Sequence, residues 1–243
     1  MSRRWDDSLF AKAVRLRVAN HSLHTFVLLD FLLVSYLFDW AGWFINERTE
    51  NVLACLMFFS WAVMRVVFAE PVDRWTWPQL VPAVVHVVVG ILFLRRTVSV
   101  RRADTTTLLW CLPSFVAGGM AMNLAPDSHL WPVHSQFLFA LGALGAVLGM
   151  LALGKSFAVF PALRNVVSTG PFRLIRHPIY FCELVMLLGC CSTIGSAKHW
   201  GLFVAAVVAI AIRIIWEEKV LLESKSYEDF CQAVKYRLIP GVW

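Results

Sequence analysis

The sequence predicts an all-α integral membrane protein, a multi-span helical bundle of six or seven transmembrane helices. Of its 243 residues, 59% are hydrophobic and only 16% are charged, whereas a soluble domain carries about 25% charged residues. The apolar residues form long blocks, and residues 135–153 contain no charge at all. The strict alternation of apolar and polar residues that a membrane β-barrel requires is absent.

Seven apolar segments are candidate spans, because an α-helix needs about 20 apolar residues to cross the hydrocarbon core. Inside lipid each backbone N–H and C=O must find its partner within the element, so we expect these segments to be helices. The connections between them are short, which favours one compact bundle. The N-terminus lacks the cleavage pattern of a secretory signal. The predicted spans are residues 23–45, 52–69, 78–94, 106–125, 134–158, 178–194 and 200–216.

Basic loops predict the orientation of this bundle. Residues 94–104 and 161–177 are rich in arginine and lie two spans apart, so both should face the cytoplasm. The C-terminal tail lies two spans further on and shares that side. With seven spans the basic N-terminus would lie outside, so we favour six true crossings. The chain suits a bacterial inner membrane, with the endoplasmic reticulum as the alternative location.

Polar and small residues inside the spans predict helix contacts. An ionisable group at mid-membrane costs on the order of 3 kcal/mol on insertion scales, so it should face protein or water. If the first two spans fold back on each other, Arg65 reaches the depth of Asp30, and we expect the two to pair. Gly142, Gly145 and Gly149 should let another helix approach closely within the bundle.

Two features of the composition limit the partners of the chain. The six cysteines lack the spacing and the nearby histidine pair of a metal site, so we expect buried thiols and no bound metal. The net charge of +6 comes from basic loops at the ends of apolar spans. We therefore expect anionic membrane lipids as partners rather than nucleic acid. The sequence leaves the oligomeric state open.

The last third of the chain concentrates candidate chemistry. Pro178 suits the first turn of a helix, which puts His177 at a helix N-terminus, where an anion is favoured. Arg173 and Arg176 add positive charge. Arg213 and Glu217 share a face of the last span, which a short turn returns to the level of His177. Such a pocket suits a zwitterion such as S-adenosylmethionine; alternatively, the basic residues anchor to lipid heads and Glu217 pairs with Arg213.

Three motifs resemble a known family. They are G-P-F-R-L-I-R-H-P-I-Y at 170–180, R-x-x-x-E-E at 213–218 and Y-R-L-I-P-G near the C-terminus. Together they are similar to the isoprenylcysteine carboxyl methyltransferases, which in turn resemble the membrane phospholipid N-methyltransferases. The resemblance covers residues 153–243 or so. It implies N-terminal helices of unassigned role at 1–133 and a methyltransferase-like catalytic region at 134–243, with the cofactor pocket on the cytosolic side.

The resemblance also implies roles for single residues. The stretch before the Gly-Pro turn should line S-adenosylmethionine, chiefly through its backbone. Three further contacts are expected from the aromatic residue after the turn, from the R-H-P-x-Y segment and from the first acid of the E-E pair. Arg213 should receive the substrate carboxylate. The chain departs from the family pattern at three positions. Phe172 stands where the family usually has Tyr, and Glu183 is an added acid. Cys182 stands where the family often has Gly, so we expect looser helix packing at Cys182. The expected cofactor-binding residues are Arg164, Asn165, Val166, Val167, Phe172, His177, Pro178, Ile179, Tyr180 and Glu217.

The acceptor determines which catalytic groups are needed. A carboxylate is already ionised and needs only Arg213 to hold it, whereas an amine, thiol or hydroxyl needs a base, for which Glu183 or Glu218 is the candidate. We expect a lipophilic small molecule or lipidated substrate that enters from the bilayer, with a carboxylate as the methylated group. The alternatives are phospholipid or small-thiol methylation, an NADPH-dependent enzyme similar to sterol reductases, or a non-catalytic protein of the same fold.

Overall fold

The computed structural model describes residues 46–67 and 76–243. Seven α-helices lie in these ranges, and one antiparallel pair of short strands. The strands are β1 (Arg101–Arg102) and β2 (Ala162–Leu163). The helices are α1 (Glu47–Val67), α2 (Trp77–Arg95), α3 (Thr105–Leu124), α4 (Val133–Leu153), α5 (Pro178–Cys191), α6 (Ala197–Leu221) and α7 (Lys225–Ala233).

Five of these helices are long and apolar enough to cross a membrane, namely α1, α2, α3, α4 with its following turn, and α6. The fifth helix, α5, is apolar but shorter, and ends at Cys191 rather than at the predicted residue 194. The predicted all-α membrane bundle is therefore confirmed. The predicted span 23–45 and the predicted partner Asp30 lie outside the described residues, so the number of crossings and the Asp30–Arg65 pair remain predictions.

Local signals in the sequence explain where the helices begin and end. Asp104 caps α3, because its side chain accepts a hydrogen bond from the Thr107 backbone N–H at 2.9 Å. Pro178 begins α5, as predicted, since a proline at the first helical position loses no hydrogen bond. Helix α4 ends at Gly154, whose φ of +50° favours glycine.

Helices α4 and α5 pack closely through the glycines predicted for that purpose. A Cβ atom on Gly142 would lie 2.7 Å from the Cys182 carbonyl oxygen, and one on Gly149 would lie 2.8 Å from Ile179. Gly145 faces the Cys182 thiol, which a Cβ at that position would meet at 2.5 Å. Cys182 therefore does not loosen the packing, contrary to our expectation, because its sulfur fills the space opposite Gly145.

The short strand pair brings two distant basic segments together. Arg102 pairs with Ala162, and the Ala103 N–H donates to the Pro161 carbonyl at 3.0 Å. The loop after α2 thus lies beside the residues that precede Arg164. This junction joins the N-terminal helices to the predicted catalytic region.

Candidate active site

One cavity of about 460 Å³ is lined by a polar and an apolar group of side chains, which we call its polar end and its apolar end. Charged and polar side chains from the loop before α5 and from α5 and α6 line its polar end. Aromatic and aliphatic side chains of α1, α2 and α4 line the apolar end, for example Phe58, Val89 and Met150. Of the ten expected cofactor-binding residues, nine line this cavity: Arg164, Asn165, Val166, Val167, Phe172, His177, Ile179, Tyr180 and Glu217.

Pro178 is the exception among these expected residues. It is buried but does not line the cavity. Its position at the start of α5 lets the chain turn from His177 into the helix without losing a backbone hydrogen bond. Pro178 thus sets the positions of its neighbours His177 and Ile179 and adds no surface to the cavity.

Arg164 forms an ion pair with a residue that lies far from it in the sequence. Its Nη2 lies 2.6 Å from a carboxylate oxygen of Glu47, the first residue of α1. Glu47 also accepts hydrogen bonds from the Ser99 backbone N–H at 3.0 Å and from the Ser99 hydroxyl at 3.2 Å. The Arg164 side chain is only 3% exposed, and its Nε and Nη1 have no hydrogen-bond partner among the described residues. Two buried N–H donors are thus left beside the cavity.

The Gly-Pro turn shapes the wall that follows. Gly170 has a φ of +59°, which starts the tight turn over Gly170–Arg173. Phe172 is buried against Tyr227, Phe230 and Val234 of the C-terminal segment. Phe172 therefore contributes to the site through its ring, which is anchored by α7, and not through the phenolic group of the family's usual Tyr.

A buried ion cluster occupies the place where we predicted an anion-binding site. Glu218 lies 2.9 Å from Arg176 Nη1, 3.2 Å from His177 Nε2 and 2.7 Å from Arg237 Nε. Burial, together with the charge of Glu218, raises the pKa of the Tyr227 phenol well above its usual value, so this hydroxyl stays protonated 3.5 Å from Glu218. The anion at this helix start is thus the chain's own carboxylate.

The structure changes the roles that we expected for Glu218, Arg173 and Arg176. Glu218 is 2% exposed, does not line the cavity and is surrounded by positive charge, which leaves it poorly suited to act as a general base. Arg173 is exposed and lies outside the cavity lining. Arg176 lines the cavity, but its guanidinium also donates to the Lys235 carbonyl at 2.8 Å. Arg176 and His177 therefore tie the C-terminal tail to α5.

Glu217, one residue earlier on α6, faces the cavity instead. Its carboxylate accepts a hydrogen bond from the Tyr180 hydroxyl, and no ion pair joins it to Arg213 among the described residues. The Tyr180 ring stacks on the His177 ring, with centroids 5.5 Å apart. Glu217 thus keeps an acceptor oxygen for a ligand hydroxyl or ammonium group, and the alternative Glu217–Arg213 ion pair is not formed among the described residues.

Arg213 is buried and fixed in the cavity wall. Its guanidinium carbon lies 4.1 Å from the centroid of the Phe115 ring and 4.6 Å from that of the Tyr180 ring. Nη1 donates to the Ser114 hydroxyl at 3.2 Å and Nη2 to the Val159 carbonyl at 2.7 Å. Nε has no partner among the described residues. A rigid, charged guanidinium with a free N–H donor is suited to hold an acceptor oxygen.

Glu183 lines the same cavity, one helical turn after Tyr180 on α5. The charge of Arg213 acts on it, yet among the described residues it makes no hydrogen bond or ion pair. We predicted Glu183 and Glu218 as candidate bases. Only Glu183 remains a candidate, because its carboxylate is unpaired and lines the cavity.

Sequence reasoning missed the residues that position this site from outside the motifs. Glu47 holds Arg164, Ser114 and Val159 hold Arg213, and Arg237 pairs with Glu218. No spacing signal links these positions, since each contact joins segments far apart in the sequence. The only local signal for Glu47 was its position as an acidic residue in the first turn of α1.

The donor set fits a zwitterionic sulfonium nucleoside. Two unpartnered Arg164 nitrogens provide a site for a carboxylate, and Glu217 provides an acceptor for an ammonium or ribose hydroxyl. Phe172 and Ile179 supply apolar contacts for a base ring. Cationic, anionic and apolar partners are therefore present together at one end of the cavity.

Comparison with known proteins identifies the region that contains this site. Residues 132–229 match the phospholipid methyltransferase family, whose members are S-adenosylmethionine-dependent methyltransferases. The cobalt-zinc-cadmium resistance protein CzcN of Cupriavidus metallidurans is 30% identical over 93 residues, which make up 37% of this chain and 41% of that protein. The chain thus spans less than half the length of this curated relative. The resemblance to membrane methyltransferases is confirmed, and residues 132–229, which carry most of the cavity's polar end, are the part of the chain that is similar to the phospholipid methyltransferase family.

Proposed function

We propose that this chain is an integral membrane methyltransferase that uses S-adenosylmethionine to methylate the carboxylate of a lipophilic acceptor. The observation that carries the proposal is a single cavity with a polar cofactor-type end and an apolar end inside the bundle. Such a cavity suits two ligands of different polarity. The family match over residues 132–229 supports the reaction class.

The polar end is proposed to bind and orient the cofactor. Arg164 would hold its carboxylate, Glu217 its ribose hydroxyls or ammonium, and Val166, Val167 and Phe172 its apolar face. The sulfonium centre of the cofactor supplies an electrophilic methyl group. The protein's task is then to align this centre with the acceptor oxygen and to exclude water.

Arg213 is proposed to orient the acceptor carboxylate. It stands between the polar end and the apolar wall, and its free Nε–H can donate to a carboxylate oxygen. Because the guanidinium packs against the Phe115 and Tyr180 rings and donates to Ser114 and Val159, its position is set before a ligand arrives. The lipophilic part of the acceptor would lie among the residues of α1, α2 and α4, reached from the bilayer.

A second candidate is methylation of an amine, as on a phospholipid head group. The unpaired Glu183 favours it, because an amine acceptor must lose a proton and Glu183 could accept it. The description of the matched family points the same way. The two candidates differ in which side chain is indispensable.

Two variants of the purified chain in lipid nanodiscs distinguish these candidates. Labelled S-adenosylmethionine is first titrated, with NADPH as the competing ligand, and lipophilic acids and phospholipids are then screened for methylated product. For a carboxyl methyltransferase, Arg213→Ala should lose nearly all turnover while it keeps its cofactor affinity, and Glu183→Gln should remain active. The reverse pattern favours the amine acceptor. Tight NADPH binding without S-adenosylmethionine binding would overturn the proposal, and cofactor binding without any product would favour a non-catalytic protein.

The location follows from the same proposal. The polar end of the cavity lies beside the basic loops, which we expect to face the cytoplasm, where S-adenosylmethionine is available. A bacterial relative supports the inner membrane as the site. Anionic lipids beside the basic loops would then be partners of the chain.

A further inference from the structure

A histidine interrupts the apolar end of the cavity. His86 lies at the middle of α2 and lines the cavity there. At 1.5 Å per residue it lies about 13 Å along the helix axis from the cytosolic end at Arg95. Its Nδ1 is buried without a hydrogen-bond partner among the described residues. A polar atom in this condition inside a membrane protein is costly and indicates a function.

Among the described residues, the neighbours of His86 do not provide a hydrogen-bond partner for this atom. The imidazole centroid lies 5.9 Å from the Phe58 ring and 5.6 Å from the Trp61 ring, and Val85 and Val89 line the cavity on either side. The charge of Arg65 on α1 acts on this histidine and disfavours a second positive charge on the imidazole. A single water molecule needs two to four polar partners to be held in a cavity. Phe58, Val85 and Val89 offer none, and Trp61 offers only its indole N–H.

A hydroxyl group would match this site. A neutral imidazole has one donor and one acceptor nitrogen, and a hydroxyl can donate as well as accept. A hydroxyl can therefore pair with Nδ1 in either tautomer. A plain hydrocarbon tail would leave Nδ1 unpaired, and a phenylalanine in place of His86 would accommodate such a tail better.

We infer that His86 forms a polar subsite for a hydroxyl group within the tail of the acceptor, so that the acceptor is a hydroxylated lipid rather than a plain hydrocarbon acid. The inference rests on the proposed function, because it assigns the apolar end of the cavity to the acceptor. It makes His86 a specificity-determining residue that takes no part in the methyl transfer itself.

Ricinoleic acid and oleic acid are suitable probes, since they differ by one hydroxyl in the middle of the chain. Binding is measured without turnover, from the imidazole ¹⁵N resonances of the full chain in nanodiscs. Ricinoleic acid should shift one imidazole resonance that is missing in His86→Phe, and oleic acid should leave it unchanged. Equal responses to both acids, or no response to either, would overturn the subsite.

Turnover provides the second readout. The unmodified chain should prefer ricinoleic over oleic acid by about tenfold in kcat/KM, the size expected of one net hydrogen bond. His86→Phe should lose this preference, His86→Gln should keep part of it, and Val84→Phe on the exposed side of the same helix should behave like the unmodified chain. Loss of preference in Val84→Phe as well would count against a specific subsite. A positive imidazole response without any methylated product would retain the subsite and discard the proposed function.

Discussion

At the scale of single residues, adjacent acids on one helix have opposite roles. Glu217 faces the cavity and accepts from Tyr180, whereas Glu218 is turned into the protein and is bound by Arg176, His177 and Arg237. Adjacent helical residues point in directions about 100° apart, so an E-E pair always separates in this way. The motif alone therefore predicts a site but does not say which acid touches the ligand.

The buried position of Glu218 leads to a prediction about stability. Glu218→Ala would leave two arginines and a histidine without their shared carboxylate, and it should lower the free energy of unfolding by about 3–5 kcal/mol. Asp229→Ala breaks an exposed pair with Lys225, 4.0 Å apart, and should cost less than about 1 kcal/mol. Denaturant titrations of the two variants in detergent give the comparison. Equal effects would mean that the ion cluster is not a structural centre.

At the scale of helices, α1 contributes to the proposed cofactor site from outside the region that matches the family. Glu47 on α1 binds the buried Arg164, whereas Glu50, one turn later, binds Arg102 at 2.9 Å and makes no contact with Arg164. Glu50 is thus a suitable control for Glu47, because both acids lie on α1 and only Glu47 binds a residue of the cavity.

Glu47→Gln should therefore weaken S-adenosylmethionine binding by about tenfold, since a charged hydrogen-bond partner of Arg164 is lost. Glu50→Gln should keep the cofactor affinity of the unmodified chain. Titration with labelled cofactor measures both, and thermal unfolding shows that both variants are folded. If the two variants bind the cofactor equally well, α1 does not position Arg164 for binding.

The α4–α5 contact gives a second prediction at this scale. A methyl group added at Gly145 meets only the Cys182 side chain, whereas one at Gly142 meets the backbone of Cys182 and Met186 at 2.7 Å. Gly145→Ala should destabilise the protein by about 1–3 kcal/mol, and a second change, Cys182→Gly, should restore much of the loss. Gly142→Ala should not be rescued by Cys182→Gly. Midpoints of thermal unfolding test this, and rescue of both variants would contradict the packing described.

At the scale of the whole molecule, the polar end of the cavity and the basic loops lie on one side of the bundle. The β1–β2 pair joins the two basic loops, and the Arg164–Glu47 pair joins the second loop to α1. The Glu218 cluster joins the second loop to the C-terminal tail. The positive-inside rule predicts that this side faces the cytoplasm. The first turn of α6, which contains the exposed Lys198, belongs to the opposite side.

Labelling in intact cells and in opened vesicles tests this orientation. A membrane-impermeant maleimide should react with the variant Lys198→Cys in intact cells, and with Arg173→Cys only after the cytoplasmic face is exposed. The native cysteines are buried or half-buried in the structure, so their background should be low. Reaction of Arg173→Cys from outside intact cells would reverse the proposed orientation.

Much of this architecture could be predicted from the sequence because its signals are local. Apolar length predicted the spans, Pro178 predicted the start of α5, and the spacing of Gly142, Gly145 and Gly149 predicted the close helix contact. Each of these depends on neighbours along the chain or on one face of one helix. The motifs at 170–180 and 213–218 likewise contain five of the cavity's polar residues, namely Arg176, His177, Tyr180, Arg213 and Glu217.

The sequence by itself determined that this is a membrane-embedded helix bundle whose last third resembles membrane methyltransferases, since the length, polarity and motifs of contiguous segments suffice for that. Only the tertiary structure decided that Arg176 and His177 bind Glu218, that Glu47 holds Arg164, and that His86 lies in the cavity with Arg213. These contacts join segments far apart in the chain. Their distances depend on how whole helices pack, which local pattern does not encode.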